Sequence, residues 1–245
     1  MTGPRGSWDL GGGSDAWPFY IVCDVSASMW HKRFHDDPIK SPHYAMNASF
    51  PGMMAAIDKD VTARAIAHVS VIAFSDKAEV VTPLSKVVDG AAENPIYALP
   101  KGGQTNYALA FRTLNKTIRS DVRALTIAGK HVKGPAVFFL TDGEPQVDDK
   151  RQSDEVWQKE WSELTDPLFE HRPRIVSLGL GSVNERTLKL VASKVPPGAA
   201  CIAESGVTAA DLLGAIIDII IFSITQSTTT GSFVFDTPRG MRRVF

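Results

Sequence analysis

The sequence predicts an α/β domain built on a doubly wound, mostly parallel sheet flanked by helices. Three observations predict it. Short continuous apolar runs recur along the chain, as strands buried on both faces require. Segments with apolar residues at helical spacing lie between them. Two of the runs end abruptly in a carboxylate, at Asp24 and Asp142. The length of 245 residues suits one large domain, and a chain of that size hides roughly 70% of its unfolded surface. A composition of 44% hydrophobic and 22% charged residues excludes intrinsic disorder as the main state.

Residues 1–17 are rich in Gly, Ser and Asp and read as a flexible lead-in. The domain proper spans 18–224. Pro18 introduces the first strand, Phe19-Tyr20-Ile21-Val22-Cys23. Similar runs stand at 69–74, 136–140 and 174–180, with weaker strands at 79–81 and 200–203. Met54, Ile57 and Val61 make one helical stripe; Tyr107, Phe111, Leu114 and Ile118 make a second; Trp157, Trp161, Leu164 and Leu168 make a third. Asn184 can cap a helix carrying Leu188 and Val191. Thr208 and Asp211 resemble a capping box opening a last helix through Leu212, Leu213, Ile216, Ile217 and Ile220. The tail, 225–245, holds Phe233-Val234-Phe235 and Arg239, Arg242 and Arg243. It suits either an added edge strand or an arm that docks on a neighbour.

The formal charge of −1 and the lack of a long basic run exclude any demand for nucleic acid or an anionic membrane. No basic stretch followed by an apolar core opens the chain. The longest apolar run, Leu212 to Ile224, is interrupted by Asp218. It falls short of the roughly 20 residues that span a bilayer, and reads as a buried helix. Cys23 and Cys201 lie in apolar runs and read as buried structural thiols, which fits a reducing, cytoplasmic compartment.

The chemistry gathers at strand ends. In Asp24-Val25-Ser26-Ala27-Ser28, residues 24, 26 and 28 of an extended segment point to one side. Thr141-Asp142-Gly143 ends another strand, and Gly102-Gly103-Gln104-Thr105 precedes the Tyr107 helix, with Thr105 placed as its N-cap. Ligands of open α/β sheets bind outside the carboxyl ends of strands. Asp24, Ser26, Ser28, Thr105 and Asp142 could therefore meet as five oxygen donors. Oxygen donors without His or Cys favour Mg²⁺, Mn²⁺ or Ca²⁺ over Zn²⁺.

This set resembles the metal-ion-dependent adhesion site (MIDAS) of the von Willebrand factor type A family, over roughly residues 18–222. The resemblance implies a Rossmann-like sheet, and direct or water-mediated metal ligation by Asp24, Ser26, Ser28, Thr105 and Asp142. It implies metal-dependent protein binding, not catalysis, with a partner's Glu or Asp carboxylate at the open metal position. Segments 71–78 and 140–145 are similar to the intracellular bacterial TerY-type proteins of tellurium-resistance and stress clusters. That implies phosphatase or kinase proteins of the same cluster as partners. Ala27 departs from the family, which often has Gly there, and makes the turn less permissive. The stretch 31–51 before the first helix is a second departure, expected to form a lip over the metal or to shield it. Met29 and Trp30 would shape the rim.

Several residues have plainer readings. His31, His35 and His43 are loosely spaced and read as surface histidines instead of a zinc site. Asp36, Asp37, Asp76, Glu144, Asp148 and Asp149 are candidates to surround the metal mouth. The ten acidic residues between Asp142 and Glu170 read as a solvated face. Two further functions stay open. One is a metal-dependent phosphate-ester hydrolase, with Glu144 as the nearest base. The other is a self-assembling scaffold, whose basic tail docks on the acidic 142–170 segment of another copy.

Overall fold

A computed structural model of the chain describes residues 14–30, 41–87, 98–180, 183–207 and 209–245. The order of elements alternates as the periodicities require. Strand β1 (Asp15–Asp24) ends in a short 3-10 turn, Ala27–Met29. Helices α1 (Pro42–Lys59) and α2 (Val61–Ile66) lead to β2 (Ala67–Phe74) and β3 (Ala78–Lys86). Helix α3 (Tyr107–Ile127) is followed by β4 (His131–Val132) and β5 (Ala136–Thr141). A small hairpin, β6 (Gln146–Val147) and β7 (Lys150–Arg151), precedes α4 (Asp154–Leu164). Then come β8 (Arg174–Gly179), α5 (Glu185–Val191), β9 (Ala199–Ala203), α6 (Ala209–Thr230) and β10 (Met241–Arg243).

Among the described residues the strands form one eight-stranded sheet in the order β10-β9-β8-β5-β1-β2-β3, with β4 beside β1. The inner strands run parallel, and β3 and β10 close the two edges antiparallel. The chain moves outward from β1 to β2 and β3, then returns through α3 to β5 on the other side of β1. The strand order thus reverses between β1 and β5, where a crevice opens at the carboxyl edge. The register pairs Cys23 with Leu140 and so brings Asp24 beside Thr141.

Every residue of β1 from Ala16 onward is buried, because helices cover both faces. Phe19, Ile21 and Cys23 face a core shared with Met46, Phe50 and Met53 of α1 and Leu213, Ile216 and Ile220 of α6. Tyr20 and Val22 face the opposite core, with Tyr107, Phe111 and Leu114 of α3 and Trp157 of α4. The two-residue period of the strand sends neighbours to opposite layers. Phe111, Phe139 and Trp157 stack there, with Phe111–Phe139 centroids 5.2 Å apart.

Several expectations are corrected here. The first helix begins at Pro42, with Ser41 accepting from the Tyr44 N–H at 3.1 Å, so 42–51 is helix and not a lip. Pro51 sits inside it, where buried Phe50, Met53 and Met54 anchor both sides of the missing N–H. His43 is buried, not at the surface: Nε2 donates toward the Leu99 and Pro100 carbonyls, at 2.9 and 3.0 Å. Residues 31–40, with His31, His35, Asp36 and Asp37, lie outside the described residues. Val61 does not continue the Met54–Ile57 stripe. Asp60 breaks the helix in an extended conformation, and its carboxylate caps α2 through the Ala63 N–H at 2.8 Å. Leu168 is fully in solvent, since α4 ends at Leu164.

Helix α6 has 22 residues, and its stretch Asp211–Thr230 is long and apolar enough to cross a bilayer by length and composition alone. Length is therefore not what identifies it as a core helix; burial of Leu212, Leu213, Ile216, Ile217, Ile220 and Ile224 against the sheet and α1 is. Thr208, the expected cap, lies outside the described residues. The tail folds back on its own chain. Val234 receives hydrogen bonds from Ser223, and its N–H donates to Ser227 Oγ at 2.8 Å. Phe233 packs on the core near Phe138. The edge strand forms at 241–243, not at 233–235.

Candidate metal centre

Asp24 is the last residue of β1 and is fully buried. Its Oδ1 accepts the Ser26 N–H at 2.9 Å, and its Oδ2 accepts the Thr141 hydroxyl at 2.7 Å. Ser28 Oγ donates to Asp142 Oδ1 at 2.7 Å. That uses the Ser28 proton, so Ser26 Oγ, 3.1 Å away, donates to Ser28. Asp24, Ser26, Ser28 and Asp142 are thereby linked by hydrogen bonds across the β1–β5 crevice.

Thr105 arrives from a different direction. It is buried and pairs through its backbone with Gln146, by hydrogen bonds of 3.2 and 2.9 Å. The N-cap of α3 is Asn106, whose side chain accepts the Leu109 N–H at 3.1 Å, and not Thr105. One residue of difference matters: Thr105 keeps its hydroxyl out of the cap. Its Oγ1 lies 3.9 Å from where a Cβ on Gly143 would stand, beside the Asp142 turn. Ser28, Thr105 and Asp142 line one open cleft of about 340 Å³, whose wall also includes Glu144, Gln146 and Arg151. Asp24 and Ser26 are buried and do not line it.

The loops are laced together. Ala27 N–H donates to the Gly103 carbonyl at 3.0 Å, and Gly102 N–H to the Val25 carbonyl at 2.9 Å. A Cβ at Gly102 would stand 1.8 Å from Ser75 Oγ, so only glycine lets the loop approach. Asp76 does not face the metal mouth. It holds the same loop, accepting from the Gly103 and Gln104 N–H groups at 2.6 and 3.2 Å. Ala27 opens the 3-10 turn and is not among the positive-φ residues of the described chain, so the turn needs no glycine there. Met29 is buried in the core and does not shape the rim. Trp30 does stand near the surface, held by its Nε1–H on the Gly102 carbonyl at 3.1 Å and by Lys101 over its ring.

Two residues that sequence reasoning assigned no role belong to this network. Thr141 fixes Asp24, and the Tyr107 hydroxyl lies 3.2 Å from Thr141 Oγ1 and 3.1 Å from the Gly143 carbonyl. The signal was a Thr directly before Asp142, at the end of a buried strand.

Burial, and then the charge of Asp142, push the Asp24 carboxyl up to about 7. Hydrogen bonds from Ser26 and Thr141 oppose the rise, with no cation among the described residues contributing. Burying the Asp24 carboxylate beside the partly exposed Asp142 is costly unless a positive charge enters. The donors are all oxygen, which suits a hard divalent cation. Only two of the five are carboxylates; among the described residues no group of three or more His, Cys, Asp and Glu side chains could hold a metal. Glu144 is engaged elsewhere: Oε1 accepts the Asn184 N–H at 2.7 Å and Oε2 the Thr187 hydroxyl at 2.8 Å. It lines the cleft, but its carboxylate is spent on the start of α5 and on Arg151, whose Nη2 lies 3.5 Å from Oε2, and is not a free base.

Fold and crevice together define a doubly wound α/β domain with an acidic, hydroxyl-rich site at its topological switch point. The chain belongs to the von Willebrand factor type A domain family, whose sequence pattern matches residues 19–144. Solved structures agree in fold. A von Willebrand factor type A protein from Catenulispora acidiphila is 18% identical with a TM-score of 0.58, covering 86% of this chain and 43% of that one. Proximal thread matrix protein 1 from the mussel byssus, with a zinc-occupied MIDAS motif, is 15% identical with a TM-score of 0.57, covering 86% of this chain and 48% of that one. The PilB minor pilin from Streptococcus sanguinis is 13% identical with a TM-score of 0.60, covering 92% of this chain and 65% of that one. The chain thus spans about half the length of the first two. No curated protein matches the sequence significantly.

Proposed function

We propose that this chain is a non-catalytic, metal-ion-dependent protein-binding module. Asp24, Ser26, Ser28, Thr105 and Asp142 would hold the cation, with Mg²⁺ the preferred ion and Mn²⁺ or Ca²⁺ the alternatives. When bound, the cation supplies a Lewis-acid docking point for the Glu or Asp carboxylate of a partner protein. Asp24 and Ser26 shape the floor of the site, while Ser28, Thr105 and Asp142 present oxygens to the cleft.

One observation carries this reading: the fully buried Asp24 carboxylate shares its crevice with Asp142 and has only hydrogen bonds to offset its charge. The zinc-occupied MIDAS motif of the mussel protein, on the same fold, supports it. The engagement of Glu144 by α5 favours binding over phosphate-ester hydrolysis. The tail's packing on its own chain removes the arm that the scaffold reading needs.

The segments 71–78 and 140–145 extend the reading to a cytoplasmic role in a bacterial tellurium-resistance or stress-response system. Phosphatase or kinase proteins of the same gene cluster are then the expected partners. The test is affinity capture from native lysate with Mg²⁺ and with chelator, using wild type and Asp24→Asn. Partners retained by wild type only with metal support the proposal. An identical set in all arms overturns it.

A further inference from the structure

A second pocket lies at the opposite, amino-terminal edge of the sheet, away from the crevice. It has a volume of about 370 Å³, and its lining includes Trp17, Lys133, Pro135, Arg174, Pro196 and Phe233. Two cations and no carboxylate line it. Lys133 is already paired, with its Nζ 3.3 Å from Asp15 Oδ2. Arg174 is not. It opens β8, and its guanidinium lies 4.7 Å from the centroid of the Phe233 ring. Its Nε is buried without a hydrogen-bond partner, and among the described residues no carboxylate forms an ion pair with it.

A half-buried guanidinium without an anion is an unfavourable arrangement, because desolvation is not repaid by any counter-charge. Burial accordingly pulls its pKa down, with no neighbouring charge opposing the change. Stacking on Phe233 gives a part of the missing compensation. The edge of a stacked guanidinium remains the part suited to a planar carboxylate. The other walls, Trp17, Pro135 and Pro196, are ring-bearing and apolar.

We propose that this pocket binds an organic carboxylate, with the carboxylate on Arg174 and the apolar body against the ring-bearing walls. The site is separate from the metal centre and does not depend on it.

Benzoate, acetate and inorganic phosphate serve as probes in calorimetric titrations of the full chain. Wild type is expected to bind benzoate saturably, and more tightly than acetate or phosphate. Arg174→Met should weaken benzoate binding about tenfold or more, as loss of a charge-assisted hydrogen bond does. That variant removes an unpaired cation, so its melting temperature in plain buffer should equal or exceed that of wild type. If Arg174→Met melts lower, Arg174→Lys, which keeps the charge but not the planar fork, should still bind benzoate more weakly than wild type, and unchanged affinity in it overturns the proposal. Absence of saturable benzoate binding by folded wild type, or equal benzoate affinity in the Arg174 variant, overturns the proposal. Tighter binding of phosphate than of benzoate overturns the assignment to an organic carboxylate.

Discussion

Replacing Asp24 by Asn isolates the charge of the metal centre from its shape. Asparagine keeps an oxygen that can accept the Ser26 N–H and is nearly isosteric. In chelator, the wild-type carboxyl holds its proton up to about pH 7 in the folded state, against 3.8 ordinarily. The folded state therefore binds more protons between those values, and stability falls as the pH rises through that window. The swing from 3.8 to about 7 corresponds to on the order of 4 kcal/mol. The Asp24→Asn variant lacks this slope, and near pH 8 in chelator it should be the more stable protein. Saturating Mg²⁺ narrows that gap. At a hundred times its dissociation constant, a ligand stabilises by about 2.7 kcal/mol, or roughly 5–10 °C for a domain of this size. Wild type should show that rise and the variant none. Denaturant unfolding at about pH 5 and about pH 8, with chelator or Mg²⁺, measures all four arms. A variant that keeps the metal-dependent rise, or a wild type that never shows it, refutes the reasoning.

Other outcomes follow from single contacts. Glu144→Ala removes two acceptors at the start of α5 and should destabilise by about 1–3 kcal/mol, with Mg²⁺ affinity by calorimetry close to wild type; loss of metal binding would instead make Glu144 a ligand. Gly102→Ala drives a Cβ into Ser75 and displaces the loop that carries Thr105. It should lower the melting temperature and weaken metal binding together, at about 1–3 kcal/mol for the overpacking; unchanged values would mean that the loop has slack. Truncation after Gln226 removes β10 and the Phe233 anchor. Lower thermal stability is expected, whereas a stable product of smaller assembled mass in sedimentation would restore the docking-arm reading.

Much of the architecture was legible along the chain. The run Phe19 to Cys23 is apolar at every position because both faces of β1 are covered, and a strand covered on both faces has no polar alternation to obscure it. Asn184 was legible as a cap because its side chain accepts the N–H of Thr187, only three residues on, which is a local interaction. The errors came where tertiary contacts outweighed local preference. Pro51 stays helical because core residues hold the turns on both sides. His43 is buried because the chain near Leu99 returns over α1. Asn106 takes the cap because the Thr105–Gln146 bridge holds the preceding residue in place.

The sequence by itself determined the fold class and the five candidate oxygens, since strand period and residue type are local properties. Only the tertiary structure decided how these oxygens meet. Placing β1 beside β5 in the Cys23–Leu140 register joins Asp24 to Thr141, the neighbour of Asp142, across 117 positions that no local pattern spans. The same folding buries Asp24 and leaves Arg174 at the far edge without an ion-pair partner among the described residues. Burial and charge separation are properties of three-dimensional neighbours, and they are what turn a list of oxygens and cations into two candidate sites of opposite sign.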